Sequence, residues 1–209
     1  MRRLVVTLLV LVAVLVVVDR VAVSAAQRDV ARRLQVEQHL AHRPDVSIRG
    51  FPFLTQMVAG RYDEVDVTVR GLHAGPLAVT RLVAHLHGVH VSIGDVVRQH
   101  VSRVPIDRAS AEVVLSFGDL NAFLARDSAR ISAHGGEVQL AATFSGLHLD
   151  VAVPVEIRGD ALVLSVGGAV PDITIPLPGL PFGLRLESVQ VGRNGLVVTG
   201  SASGLVLRT

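Results

Sequence analysis

The stretch Leu149-Asp-Val-Ala-Val-Pro-Val-Glu-Ile157 indicates the class of fold, because large apolar side chains alternate along it with small, charged or proline residues. Successive side chains of a β-strand point to opposite faces of a sheet, so this alternation predicts strand with one buried and one solvated face. Val65, Val67 and Val69 repeat the pattern. The sequence therefore predicts a sheet that is apolar on one side.

Glycine and asparagine mark the ends and bends of these strands. Gly135-Gly136 and Asn194-Gly195 predict turns, and the second predicts a type I′ hairpin, which needs positive φ at both central residues. The phase of the alternation reverses at Gly88 and again near Ser188, which predicts a bulge or bend at each place. Long strands with bulges indicate a strongly curved, mostly antiparallel sheet.

A long helix precedes the strands. Apolar residues recur at heptad-like spacing over residues 21–42, and Pro44 is predicted to end the helix. Shorter helices are predicted at Pro52–Ala59 with Gly60 as the stop, at Ile93–Gln99, and after Ser116, whose spacing to Asp119 fits a capping box. The predicted fold is α+β: a curved, mostly antiparallel sheet wrapped around the long N-terminal helix, with short additional helices.

The N-terminal segment has the order of an export signal. Met1-Arg-Arg3 precedes an apolar run from Leu4 to Val18, and Asp19-Arg20 follows it. Fifteen residues of helix cover only about 22 Å of a hydrocarbon core that is about 30 Å thick. The segment is thus either a signal peptide cleaved near Ser24-Ala-Ala26, or an anchor extended to Val23 while Arg20 snorkels.

The helical pattern that continues to His42 favours the retained anchor. Under that interpretation residues 1–20 are the membrane segment, and residues 21–209 form one domain on the extracytoplasmic side. Arginines at positions 2 and 3 would keep the N-terminus in the cytoplasm. If the segment is cleaved, the domain is secreted.

Composition excludes several classes of function. The chain has no cysteine, which excludes disulfides, zinc–thiolate sites and lipid attachment through a cysteine. The net charge is +2, and the basic residues are interleaved with acidic ones. With no basic stripe and only six Phe and one Tyr to stack on bases, nucleic-acid binding is not expected.

The residues that carry catalytic chemistry form no known motif. Gly-x-Ser-x-Gly and the phosphate-binding glycine patterns are absent, so the sequence predicts no enzyme, no catalytic residue and no cofactor. His85, His87 and His90 fit either a metal site or, as we favour, a wet sheet face. The carboxylates at positions 63, 64 and 66 are interpreted as a solvated entry to a strand, with Asp66 pointing outward.

Two apolar motifs are the most distinctive local sequences. They are Gly50-Phe-Pro-Phe-Leu-Thr-Gln56 and Pro176-Leu-Pro-Gly-Leu-Pro-Phe-Gly-Leu184. Their aromatic rings lie beside rigid prolines, which suits core packing at the ends of a sheet. The same residues suit the lining of an acyl-chain pocket, and both interpretations remain open.

At these motifs the chain resembles the LmeA family of phospholipid-binding proteins of the actinobacterial envelope. The resemblance extends over nearly the whole chain, and its matching stretches are residues 43–46, 50–56, 60–63, 119–122, 180–186 and 188–189. It implies an exported protein with an elongated β fold, similar to the tubular lipid-binding proteins. It also implies binding of phospholipid, phosphatidylinositol types included, and a role in the assembly of envelope glycolipids.

The function predicted from the residues and the resemblance together is extracytoplasmic binding of a phospholipid or a lipid-linked glycan in an apolar cavity. An envelope glycosyltransferase or another membrane protein is the expected partner. The alternative is a non-enzymatic envelope adaptor with a solid core that docks a membrane enzyme. The predicted lipid-binding residues are Phe51, Phe53, Leu54, Met57, Leu120, Phe123, Phe144, Leu180 and Phe182.

Overall fold

The structure is a computed structural model that describes residues 2–74, 77–92, 94, 103–125, 129–144, 146–167, 171–177 and 184–207. The helices in this described part are α1 (Arg2–Glu37), α2 (Phe53–Ala59) and α3 (Phe117–Leu124). The strands are β1 (Asp45–Arg49), β2 (Arg61–Ala74), β3 (Leu77–His90), β4 (Val104–Ser116), β5 (Ala129–His134), β6 (Glu137–Phe144), β7 (Leu147–Val153), β8 (Val155–Arg158), β9 (Ala161–Leu164), β10 (Ile173–Pro176), β11 (Arg185–Val191) and β12 (Gly195–Leu207).

The strands form three open sheets. The largest has six strands in the order β1-β2-β3-β4-β12-β11, and the two smaller sheets have the orders β5-β6-β7 and β10-β9-β8. Pairing is antiparallel between β11 and β12 and throughout both small sheets. The long N-terminal helix, the short helices and the mostly antiparallel sheets confirm the predicted α+β class.

The stretch that indicated this class is not one strand. Its alternation is confirmed, because the apolar residues from Leu149 to Ile157 are buried or half-buried and the residues between them are exposed. The ladder nevertheless stops at Pro154, and β7 and β8 belong to different sheets. Proline has no N–H to donate, so it cannot continue the hydrogen bonding of a central strand.

The helices begin and end close to the predicted residues. Helix α1 ends at Glu37 rather than at residue 42, because His39 adopts a positive φ of 50° before Pro44 is reached. Gly60 ends α2 in the left-handed conformation, as predicted. Ser116 caps α3, since its Oγ accepts a hydrogen bond from the Asp119 N–H at 3.1 Å. The helix predicted at Ile93–Gln99 falls, apart from Gly94, outside the described residues.

Both predicted reversals of strand phase are confirmed. Gly88 has a φ of 63°, and Leu86 and Val89 on either side of it are both buried. The second reversal coincides with a register shift between Leu186 and Ser188 in the β11–β12 pair.

The two predicted turns differ in their backbone conformation. Gly135 and Gly136 both have positive φ and join β5 to β6, as a two-residue type I′ hairpin requires. The hairpin at Asn194-Gly195 is confirmed, but its type I′ assignment is wrong, because neither residue has a positive φ. Gly195 is needed for another reason: a Cβ there would lie 2.8 Å from the carbonyl carbon of Leu115.

The chain divides into two compact units. Unit 1 comprises residues 1–67, 85–108 and 203–209, and unit 2 comprises residues 68–84 and 109–202. In unit 1 the buried side chains include Val46, Phe53 and Ile106. In unit 2 the fully buried side chains are mainly leucines and isoleucines of α3 and the strands, such as Leu120, Ile131, Leu140 and Leu162.

Candidate functional site

The two halves of α1 have opposite environments. Residues 2–18 are exposed along their whole length, although Leu4–Val18 is almost entirely apolar. In the second half Asp19, Val23 and Ala31 are buried. These three residues are four and eight positions apart, so they lie on one face of the helix. Helix α1 is long and apolar enough to cross a membrane by length and composition.

The docked face of α1 contacts β1 and α2 within unit 1. Asp19 is only 2% exposed, and its Oδ1 accepts a hydrogen bond from the Leu54 N–H at 2.8 Å. Helix α2 has no side-chain cap from its own N-cap residue, Pro52. Asp19 therefore satisfies one of the amides that the first turn of a helix leaves without a partner. Further along α1, Gln27 donates to the carbonyl of Ile48 at 3.5 Å.

Arg20 lies between Asp19 and the first phenylalanine of the apolar motif. Its Nη2 is 2.7 Å from Asp19 Oδ2, and its guanidinium carbon is 5.1 Å from the centre of the Phe51 ring. The distance to the ring is within the range of a cation–π contact. The Phe51 side chain remains 63% exposed, so most of its apolar surface is free.

Phe53 has the opposite environment. It is 2% exposed, and its ring centre lies 6.0 Å from that of Tyr62. This separation is typical of a packed aromatic pair. Burial also raises the pKa of the Tyr62 phenol above its ordinary value of 10.0. Phe53 is thus part of the packed interior of unit 1.

The side chain of Gln56 holds the loop before α2 against the start of β2. Its Nε2 donates to the Arg49 carbonyl at 3.3 Å, and its Oε1 accepts from the Asp63 N–H at 2.9 Å. Gly50, with a φ of 98°, leaves room for it: a Cβ there would lie 3.0 Å from the Gln56 Cδ. These contacts explain why glycine and glutamine begin and end the Gly50–Gln56 motif.

The predicted lipid-binding residues lie in both units. Phe51, Phe53, Leu54 and Met57 belong to unit 1, and Leu120, Phe123 and Phe144 belong to unit 2. Phe53 and Leu120 are fully buried, whereas Leu54, Met57 and Phe123 are half-buried. Leu180 and Phe182 lie outside the described residues, as does the side chain of Phe144. Their part in lipid binding stays a prediction.

A surface groove is present within unit 2. It has a volume of about 450 Å³ and is open to solvent. Its floor is made largely of alanines, and Arg130, Thr143 and His148 supply its polar groups; the full lining is Ala125, Ala129, Arg130, Ala141, Ala142, Thr143, His148 and Leu149. Among the described side chains that were predicted to bind lipid, none lines this groove.

The prediction that Asp66 is solvated is wrong. Asp66 is 8% exposed, and its Oδ1 lies 2.6 Å from Nδ1 of His85 on β3. Arg49 forms ion pairs with both carboxylates: its Nε lies 2.7 Å from Asp66 Oδ2, and its Nη1 lies 3.8 Å from Glu64 Oε1. The contact with Asp66 Oδ2 does not have the geometry of a hydrogen bond. Glu64, Asp66 and His85 are close enough to hold a metal ion. The Arg49 guanidinium already supplies a cation to both carboxylates.

The interpretation of Asp19 and Arg20 as only the polar exit of the apolar run missed the contact of Asp19 with α2 and that of Arg20 with Phe51. The one signal available in the sequence was an isolated acid–base pair at the end of an apolar run. The contact with Leu54 spans 35 residues, and no local pattern indicates it.

A helix with an exposed apolar half, joined to a mostly antiparallel α+β fold, is compatible with a membrane-associated protein. A family model described as LmeA-like phospholipid-binding matches residues 17–201. The chain belongs to this family, which confirms the resemblance seen in the sequence. The match includes the docked half of α1. Searches of curated proteins and of solved structures found no match.

Proposed function

We propose that the protein is held in the membrane by an uncleaved α1 and binds a phospholipid with its folded part on the extracytoplasmic side. Membership of a phospholipid-binding family, over residues 17–201, is the observation that carries the lipid-binding part. The division of α1 into an exposed apolar half and a docked half supports the anchor.

What cleavage would remove supports the retention of α1. A cut after Ser24-Ala-Ala26 would take away Asp19 and Val23, two of the three buried residues of the helix. The Leu54 N–H would lose its acceptor, and the surface under Val23 would be uncovered. Asp19 and Val23 thus contribute to the packing of unit 1, although they precede the candidate cleavage site.

The acyl chains are proposed to contact predicted residues that keep accessible apolar surface. Within unit 1, Leu54 and Met57 are half-buried and can offer such surface without unfolding, whereas Phe53 cannot. Considered by itself, unit 2 offers half-buried Phe123, whereas its Leu120 is buried. Each CH₂ group removed from water contributes about 0.8 kcal/mol. Arginine suits the phosphate of the headgroup, because its planar fork matches phosphate oxygens. Phosphatidylinositol types and lipid-linked glycans are the proposed ligands, in support of envelope glycolipid assembly beside a membrane glycosyltransferase.

Lipid transfer between vesicles tests the binding. The full chain is reconstituted in acceptor vesicles, and donor vesicles carry a self-quenched fluorescent phospholipid. We expect the fluorescence to rise above that of protein-free acceptor vesicles, and phosphatidylinositol to compete better than other headgroups. A peptide of residues 1–20 in the acceptor vesicles is the control for the apolar segment alone. A rise no larger than that of the peptide contradicts lipid binding and favours the adaptor.

The intact mass of the protein purified from membranes tests the anchor separately. We expect the mass of a chain that retains residues 19–23. A mature form that begins after residue 26 contradicts the anchor.

A further inference from the structure

The contacts at the end of the apolar run place one exposed aromatic ring at a defined level relative to a membrane. The Leu54 amide nitrogen is 2.8 Å from Asp19 Oδ1, and the Phe51 ring is 5.1 Å from the Arg20 guanidinium. Asp19 and Arg20 directly follow Val18, the last residue of the apolar run. Phe51 is therefore held beside the two residues that directly follow the apolar run.

The shortness of the run brings this point deeper. Leu4–Val18 covers about 22 Å of a core about 30 Å thick, which leaves about 8 Å unfilled. A short segment draws its flanking residues towards the hydrocarbon or thins the bilayer around it. Because five further residues of helix would fill 8 Å, Asp19–Val23 and their contacts belong to the boundary layer.

The charges at this level are arranged for such a layer. Asp19 is 2% exposed, and its two oxygens are held by the Leu54 N–H and by Arg20. Such pairing lowers the cost of a carboxylate near hydrocarbon. The Arg20 guanidinium carbon lies over the Phe51 ring, and the Phe51 side chain remains 63% exposed. In water the exposed part of this ring contributes no apolar burial, whereas against lipid it does.

We infer that Phe51, with Arg20 beside it, is a bilayer-contacting element that seats unit 1 on the extracytoplasmic leaflet. The occupant of this surface is the interfacial layer of the membrane around α1. This inference rests on the anchor of the proposed function and adds a second point of attachment, which restricts tilting of unit 1 relative to the bilayer.

Single-tryptophan variants test the inference, because the chain has no native tryptophan. The full chain carrying Phe51→Trp is reconstituted in vesicles whose phospholipids are brominated near the carbonyl end of the acyl chains. Leu11→Trp, in the middle of the apolar run, reports insertion of α1 in parallel vesicles whose phospholipids are brominated near the methyl end of the acyl chains. Val36→Trp is the matched control, since it is 69% exposed on the same helix but about 24 Å beyond Arg20.

We expect the tryptophan at position 51 to be quenched by brominated lipid and to emit at shorter wavelength than the tryptophan at position 36, which should stay unquenched. If position 51 behaves like position 36 while position 11 is quenched, the bilayer contact of Phe51 is refuted and the anchor stands. If position 11 is not quenched either, the anchor itself fails.

Discussion

Phe53 and Phe51 are two residues apart in one motif, and the structure assigns them different roles. Phe53→Ala should lower the free energy of unfolding by about 3–5 kcal/mol, the usual cost of removing a core phenylalanine. Loss of its burial accounts for about 1.5–3 kcal/mol, and loss of the ring pair with Tyr62 for about 0.5–1.5 kcal/mol. The remainder comes from the cavity that is left.

Phe51→Ala is the matched control. Its ring is 63% exposed, so the substitution removes little buried surface, and the cation–π contact with Arg20 contributes only about 0.5–1 kcal/mol. The two variants should therefore differ by at least about 2 kcal/mol. Because a small domain is stable by only about 5–15 kcal/mol, the loss expected for Phe53→Ala is a large fraction of the total free energy of unfolding.

Urea unfolding of the full chain in mild detergent measures the difference. Tyr62 is the only tyrosine and no tryptophan is present, so intrinsic fluorescence reports on the neighbourhood of Phe53. Phe53→Leu, which keeps most of the apolar volume, provides an intermediate point if the alanine variant does not fold. Equal losses for Phe53→Ala and Phe51→Ala would refute the assignment of Phe53 to the packed interior.

Three further perturbations test particular contacts. Gly88→Ala should destabilise the protein more than Gly71→Ala in thermal unfolding, because both glycines have positive φ but only at Gly88 would a Cβ meet another side chain, that of Asp107; equal losses would contradict this steric difference. Asp19→Ala should speed hydrogen exchange at the Leu54 amide, in the first turn of α2, whereas Asp19→Asn, which keeps an acceptor oxygen, should not; unchanged exchange in the alanine variant would refute the capping contact. Because the pKa of Tyr62 is raised in the folded protein, the phenol of the unfolded chain loses its proton first as the pH rises past 10.0. The contribution of this group to the free energy of unfolding should therefore be constant below that pH and should fall above it. A tyrosinate absorbance that titrates at 10.0 in the folded protein would contradict the burial.

Local patterns were sufficient for much of the fold. The alternation around Leu149, the phase reversal at Gly88 and the cap at Ser116 each depend on residues within a few positions, and the structure confirms all three. The break at Pro154 could also have been predicted, because the missing N–H is a property of proline itself. The strand pattern hid it, since proline occupied a position on the exposed side.

The contacts made by Asp19 and Asp66 could not be predicted from local sequence patterns. Asp19 finds the amide of Leu54 only when α1 packs on α2, and Asp66 finds His85 only when β2 and β3 adopt their register. Likewise, the sequence correctly placed Gly195 at the β11–β12 hairpin but for the wrong reason: Gly195 begins β12, and its importance comes from the nearby backbone of Leu115. Such long-range approaches depend on tertiary packing and leave no periodic signal.

The central claim is that the folded part of an anchored chain takes up the acyl chains of a phospholipid. Photocrosslinking with a phospholipid that carries a diazirine at the end of its acyl chain tests this most directly. The diazirine lies deep in the bilayer unless the acyl chain enters the protein. Trypsin cuts at arginine and separates the regions: residues 4–20 contain the apolar run, and the predicted lipid-binding residues fall in peptides 50–61, 109–126, 131–158 and 159–185.

The account predicts labelling of residues 4–20 and of at least one of these four peptides in full-length protein in vesicles. Excess unlabelled phosphatidylinositol should reduce labelling of the latter more than labelling of the anchor. Labelling confined to residues 4–20 would contradict the claim and would leave the protein as an anchored domain that does not enclose lipid.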